Sequence, residues 1–358
     1  MRVVQLLPNF TSKGDAVSND CLSIKEVIQR LGYKTDIYAE FKGKEPNIRH
    51  ISELAELSRD DVLIYHCSIG WPYISRIKSF PCYKIMRYHN ITPPHFFEGY
   101  NPELKKRATE GYEELHFLKN TFDYCLADSE YNRENLISMG YSCDIDVLPV
   151  LIPFDKYDQQ PCRDVISKYS QTAATKLLFA GRIAPNKKIE DIIQAFFYYK
   201  TVINKNSMLF LVGSYSQNDI YFLKLQQIVK TLYLNDVIFL GHIPFKEVLA
   251  YYKLADAFVC MSEHEGFCVP LLEAMHFNVP VIAYDSTAVT HTLGESGILF
   301  KNKNYSVVSE AMHQVVSNLS LREGIIKRQQ KRLQDFSYPI VSSRFEKILI
   351  SKISKKKE

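Results

Sequence analysis

The chain has 358 residues, of which 46% are hydrophobic and 23% charged. Domains run to roughly 150 residues, so two cores are expected, and neither a disordered chain nor a small disulfide-stapled scaffold fits. Lys+Arg 44 against Asp+Glu 40 leaves +4, too weak a bias for a nucleic-acid binder.

The start, Met1 to Pro8, does not read as a signal peptide, because its apolar stretch is short and Pro8 breaks it. No run approaches the ~18 apolar residues of a membrane span. The cysteines at 21, 67, 82, 125, 143, 162, 260 and 268 stand singly, without a C-x-x-C. They are expected to be free, half-buried thiols of a cytosolic protein, not zinc ligands or disulfides.

Short β-branched runs alternate with amphipathic stretches. Strands are predicted at Val3–Leu7, Thr35–Tyr38, Val62–His66, Lys84–Tyr88, Tyr124–Ala127 and Asp146–Leu148, with helices over Val17–Leu31 and Pro102–Leu118. Apolar strands each followed by a helix describe a parallel sheet covered on both faces. The pattern restarts after residue 170. Strands are predicted at Lys176–Ala180, Met208–Val212, Val237–Leu240, Ala257–Met261, Val279–Ala283 and Ile298–Phe300. Helices are predicted over Ile189–Val202, Asp219–Leu232, Lys246–Leu254, Val269–Phe277 and Val307–Val316. Between the two series lies a proline-bearing, polar stretch. Residues 1–155 therefore read as one α/β domain, 156–172 as a linker and 173–337 as a second α/β domain. Residues 338–358 read as a closing helix with a basic tail, Lys355-Lys356-Lys357. The tail could also touch a membrane surface. Ligands of open α/β sheets bind at the carboxyl ends of the strands, so a site in a cleft between the domains is expected.

The most informative stretch is Glu265-Gly266-Phe267-Cys268-Val269-Pro270-Leu271-Leu272-Glu273, which follows an apolar strand and enters a helix. A helix N-terminus in such a turn favours an anion, and a carboxylate suits vicinal hydroxyls of a sugar or ribose. Two glutamates eight apart could equally be solvated surface charges; the whole E-G-F-x-x-P-x-x-E context raises the pair. This stretch resembles the signature of the retaining GT-B glycosyltransferases of family 4, the glycosyl transferases group 1 superfamily. The resemblance implies an α/β chain of two Rossmann-like parallel-sheet domains facing a cleft. It also implies that Glu265 contacts the donor sugar and Glu273 the nucleotide ribose, with Gly266, Phe267, Cys268 and Val269 lining the donor.

Phe179-Ala180-Gly181-Arg182-Ile183-Ala184-Pro185-Asn186-Lys187-Lys188 opens the second domain. A guanidinium and an ammonium five apart in a strand-to-helix loop can converge on a diphosphate. The family pattern G-R-x-x-x-x-K matches, which implies Arg182 and Lys187 as a cationic clamp beside Gly181. In the first domain, Gly14 and Asp15 follow the first strand, and the family's glycine loop implies that they face the donor phosphate or the acceptor. His89 ends a strand; a lone histidine is often structural, but the matching His of the family lies against the transferred sugar. Asp128 and Ser129 are second candidates on the acceptor side, and the turn at Gly241-His242 would border the base. The chain departs from the family's usual E-G-F-G at Cys268 and from E-K-G at Lys188. A Cβ costs about 1 kcal/mol or more where φ is positive.

The implied reaction is metal-independent transfer of a hexose, with mannose a mild preference, from a nucleotide-diphosphate sugar to a saccharide or lipid-linked acceptor. The expected setting is O-antigen or other surface-polysaccharide assembly, in the cytoplasm or at the inner membrane face. Nucleic acid is not an expected partner. The alternatives are another GT-B enzyme (synthase, phosphorylase or epimerase) and a catalytically silent nucleotide-sugar-binding partner.

Overall fold

The computed structural model describes residues 1–11, 15–43 and 45–355. Expected Gly14 and the end of the basic tail, 356–358, lie outside the described residues. The chain divides into two compact units, one of Met1–His95, Glu103–Pro153 and Asp335–Glu358, the other of Phe96–Pro102 and Phe154–Gln334.

The first unit contains β1 (Arg2–Asn9), α1 (Ala16–Arg30), β2 (Lys34–Phe41), β3 (Arg49–His50), β4 (Val62–Cys67), α2 (Ile74–Ser79) and β5 (Tyr83–Tyr88). They are followed by α3 (Pro102–Leu118), β6 (Tyr124–Ala127), α4 (Glu130–Ser138) and β7 (Asp144–Val147). Its strands pair in the order β3-β2-β1-β4-β5-β6-β7, all parallel. All six residues of β4 are buried, because helices cover both faces of a parallel sheet.

The second unit contains α5 (Arg163–Ser170), β8 (Thr175–Ala180), α6 (Ile189–Tyr198), β9 (Ser207–Val212), α7 (Ile220–Thr231), β10 (Val237–Gly241) and α8 (Phe245–Leu254). Then come β11 (Ala257–Cys260), α9 (Val269–His276), β12 (Val281–Tyr284), α10 (Thr287–Leu293), β13 (Ile298–Phe300), α11 (Tyr305–Ser317) and α12 (Leu319–Gln334). The sheet order is β10-β9-β8-β11-β12-β13, again all parallel. In both sheets the chain winds outward one way from its first strand and then resumes on the other side. The loops after β1 and β4, and after β8 and β11, therefore diverge and leave room for a ligand at the carboxyl edge.

Strand β3 and the short helices α2, α4 and α10 were not expected, and two larger differences concern α5 and α12. The stretch 156–172 is not a bare linker: it carries α5, which belongs to the second unit with the 3₁₀ turn Phe154–Tyr157. Helix α12 was missed because its sixteen residues bury only Ile325 and Gln329, which leaves almost no apolar stripe to read. The final helix, α13 (Tyr338–Lys355), belongs to the first unit. Val341, Phe345, Leu349 and Ile353 are buried in the core that also holds Val27 and Ile28 of α1. Burial of such side chains is worth ~1.5–3 kcal/mol each. Among the described residues no helix is long and apolar enough to cross a membrane, and all eight cysteines are free.

Candidate active site

The second unit gathers its charged groups at the carboxyl ends of β8 and β11. Beyond β8 the chain turns through Pro185–Lys187, and Lys188 takes a left-handed conformation (φ 50°, ψ 51°) that starts α6. Backbone and side chain of Asn186 tie this turn to the loop after β11. Its carbonyl accepts from Glu263 N–H at 2.9 Å, and its Nδ2 donates to the carbonyl of His264 at 2.9 Å. Across this seam Lys187 Nζ donates to Glu265 Oε2 at 2.6 Å. Burial pulls the Lys187 ammonium down, but the Glu265 carboxylate outweighs it and raises its pKa. The two residues from separate motifs thus form one charge-assisted pair.

Glu265 is fixed from its other side as well. Its N–H donates to Thr287 Oγ1 at 2.9 Å, and Thr292 Oγ1 donates to the carbonyl of Phe267 at 2.5 Å. Cys268 caps α9 in the left-handed region (φ 71°, ψ 62°), with Pro270 in the helix's first turn. Both departures from the family pattern, Lys188 and Cys268, therefore stand where glycine would be relaxed, and each bears a strain of ~1–2 kcal/mol. Gly266 and Val269 flank this turn, and Phe267 is buried.

Arg182 is exposed in the loop that Gly181 opens at the end of β8. Glu273, one turn into α9, accepts from Tyr157 Oη at 2.8 Å and from Tyr252 Oη at 2.6 Å. Burial raises its carboxyl pKa, and the two hydroxyl donors oppose that. His242 follows β10, the edge strand, with β9 between it and β8. At about 4.8 Å per strand the end of β10 stands roughly two strand spacings from that of β8. Sequence reading missed Asn186, Thr287, Tyr157 and Tyr252. Asn186 lies inside the cationic motif but is uncharged, and the tyrosines approach Glu273 from distant segments.

In the first unit a buried polar network lies at the carboxyl edge of the sheet. Arg87 Nε donates to Asp20 Oδ2 at 2.8 Å, and its Nη1 pairs with Asp128 Oδ1 at 2.9 Å. His89 Nδ1 meets Asp128 Oδ2 at 2.8 Å, and its Nε2 meets His66 Nδ1 at 2.9 Å. Both ring nitrogens of His89 therefore have protein partners. Because Asp128 only accepts, the Nδ1 of His89 carries a proton. Burial holds His66 well below the ordinary histidine pKa, aided by His89 and Arg87. Asp15 caps α1, accepting from Ser18 N–H at 2.9 Å and Ser18 Oγ at 2.6 Å. Ser129 caps α4, accepting from Asn132 N–H at 3.2 Å. The sequence carried a signal for this network: Arg87 interrupts an apolar strand, and a charge buried in a sheet needs partners.

Among the described residues, two sets of side chains could hold a cation, Asp20–His66–His89 and Cys260–Glu265–Cys268. In the first, the two imidazoles already bond to each other through the nitrogens a metal would need.

With this geometry in place, comparison with known proteins gives the class. Residues 167–332 match the family model described as Glycosyl transferases group 1. That stretch is similar to the group 1 glycosyl transferases. It is 25% identical to the O-antigen chain mannosyltransferase B of Escherichia coli over 67% of this chain and 63% of that one. It is 31% identical to the O-antigen chain mannosyltransferase RfbU of Salmonella typhimurium over 48% of this chain and 45% of that one. The matches thus span less than two thirds of these relatives' lengths. The fold is shared with Anabaena HepE, solved in complex with UDP and glucose, at a TM-score of 0.77 and 16% identity over 98% of this chain and 100% of that one. The architecture is accordingly the α/β, GT-B type with two Rossmann-like parallel-sheet units.

Proposed function

We propose that the protein is a retaining glycosyltransferase. It moves a hexose, mannose first among the candidates, from a nucleotide-diphosphate sugar to a saccharide or lipid-linked saccharide in O-antigen or related surface-polysaccharide assembly. The observation that carries this reading is the Lys187–Glu265 pair, which joins the two group 1 motifs at 2.6 Å at the carboxyl edge of the β8–β11 sheet. In this reading Lys187 and Arg182 neutralise the departing diphosphate, helped by the amino end of α9. Glu265 orients the sugar hydroxyls. Glu273 holds the ribose, its position set by Tyr157 and Tyr252. The bond from the sugar C1 to the diphosphate breaks, and C1 bonds to the acceptor oxygen on the same face. The acceptor's proton passes to the leaving phosphate oxygen. We expect no metal requirement, because two cationic side chains carry the charge a metal would. The protein would then act in the cytoplasm, with any contact to the inner membrane face made peripherally.

His89 enters this reading as a residue that fixes the end of β5, since its ring is held by Asp128 and His66. A second reading, a nucleotide-sugar-binding partner without turnover, draws on the strained Cys268 at the head of α9. The test is diphosphate release from GDP-mannose, UDP-glucose, UDP-galactose and UDP-GlcNAc, with and without lipid-linked acceptors. Acceptor-dependent release that falls at least a hundredfold in Glu265→Gln and Lys187→Met is expected. Donor binding without release in any combination would select the silent partner, and absence of nucleotide-sugar binding would end both readings.

A further inference from the structure

Cys268 keeps a left-handed backbone at an energetic cost, and no role above uses its thiol. The thiol does not stand alone. Cys260 ends β11, with its Sγ 3.3 Å from Ser262 Oγ. One ligand atom from each of Cys260, Cys268 and Glu265 lies within 4.8 Å of the others, and all three residues are buried. Two sulfurs and a carboxylate converging from a strand end, a loop and a helix cap form a donor set for a borderline-soft d¹⁰ cation. Zinc takes sulfur at about 2.3 Å and carboxylate oxygen at about 2.0–2.2 Å, which puts tetrahedral ligand atoms roughly 3.5–3.8 Å apart. Side-chain adjustments on the order of 1 Å close the set to that spacing.

We propose that Cys260, Cys268 and Glu265 form an inhibitory site for a zinc-class divalent cation, with water as the fourth ligand. On binding, two thiol protons leave to solvent. Three anionic ligands then face a dication, and the Lys187 ammonium beside Glu265 balances the remaining negative charge. No electron transfer is involved. The cation occupies the carboxylate that the glycosyltransferase reading gives to the donor sugar, so the two exclude each other. That exclusion rests on the proposed function; the metal site itself does not.

The test uses the full chain, reduced with a phosphine and titrated with Co²⁺ as an optical stand-in for zinc. One equivalent should give thiolate-to-cobalt charge-transfer absorption with tetrahedral d–d bands, displaced by Zn²⁺. Cys268→Gly, which removes the thiol and relaxes the backbone, and Cys260→Ser should each weaken Co²⁺ binding at least tenfold. Cys125→Ala should change nothing, although Cys125 and Cys143 bring their sulfurs to 3.5 Å elsewhere. A wild-type chain without thiolate absorption, or a Cys268→Gly chain that binds Co²⁺ as tightly as wild type, overturns the site. Nucleotide-sugar binding is measured on the same samples. Cobalt bound without any sugar nucleotide refutes the proposed function and keeps the metal site; the reverse result does the opposite. Where both bind, addition of the preferred nucleotide sugar should raise the apparent cobalt Kd, and an unchanged Kd overturns the inhibitory role.

Discussion

Gly213 offers a sharp test of how the carboxyl edge of the second sheet is built. It follows β9 with φ +151°, and a Cβ placed there would lie 1.8 Å from the carbonyl oxygen of Gly181 and 2.6 Å from its carbonyl carbon. Both are backbone atoms, so no side chain can swing aside. Real Cβ contacts essentially never fall below 3.0 Å, and Gly213→Ala must therefore push the Gly181–Arg182 peptide more than about 1 Å. Forced overpacking costs ~1–3 kcal/mol, and an alanine at this φ another ~1–3 kcal/mol. The sum, about 4 kcal/mol, corresponds to a melting-point loss of roughly 10 °C in a unit of this size. Gly241→Ala is the control: its φ is +71°, but the nearest atom to its added Cβ is Tyr215 Cε1 at 3.7 Å. It should bear the left-handed cost alone, roughly 1 kcal/mol after the gain from a stiffer unfolded chain. Calorimetry of both variants separates the contributions, because both lie in the second unit. A Gly213→Ala protein that melts no lower than Gly241→Ala would refute the steric argument. Because the displaced peptide carries Arg182, donor affinity should also fall in Gly213→Ala.

Three further outcomes are expected. Arg87→Met leaves Asp20 and Asp128 buried without their cation, so urea titration should show a loss of ~3–5 kcal/mol. Adding Asp20→Asn and Asp128→Asn should recover part of it, and a single variant within about 1 kcal/mol of wild type would contradict the network. Tyr252→Phe removes a hydroxyl donor at 2.6 Å from Glu273; it should cost ~1–3 kcal/mol and weaken donor binding, with nuclear magnetic resonance showing the Glu273 carboxyl titrating higher. Burial pushes the Glu114 carboxyl up to about 7, although the Trp71 N–H opposes this. Between the unfolded value of about 4.3 and that point the native state holds a proton the unfolded state has lost. Stability from this group is therefore full below the window and declines as pH rises through it. Glu114→Gln should flatten that decline, and an unchanged pH profile would dismiss it.

Much of the fold was legible because parallel strands buried on both faces leave a strong mark. Tyr124–Ala127, Pro102–Leu118 and Ile298–Phe300 were read with the bounds the structure has. The losses came where local pattern carries little of the stabilisation. Strand β3 has two residues, too few to alternate. Gln329 of α12 bonds the backbone of Val281 and Val279 with its amide, so a polar side chain does what an apolar one would do in a legible helix. The segment 156–172 was read as a linker from its prolines and polar tract, whereas Tyr169 packs edge-on to Phe210 at 4.9 Å and brings α5 into the second unit.

The candidate site divides along the same line. Lys187 and Glu265 each sit in a contiguous motif at a strand end, and the structure joins them directly. Asp15 and Ser129 were read as ligand-facing, yet each also has the D/S-x-x spacing of a helix cap, and in the structure both carboxylate and hydroxyl serve that purpose. His89 shows the physical limit of such reading. A histidine at a strand end can face a ligand or a neighbour, and the choice depends on what the adjoining parallel strands carry at the same level. Here β4 supplies His66 and the end of β6 supplies Asp128, residues 23 and 39 positions away. Sheet order decides that outcome, because it alone places the three residues side by side. A residue at the carboxyl edge of a doubly wound sheet thus has two competing sets of partners.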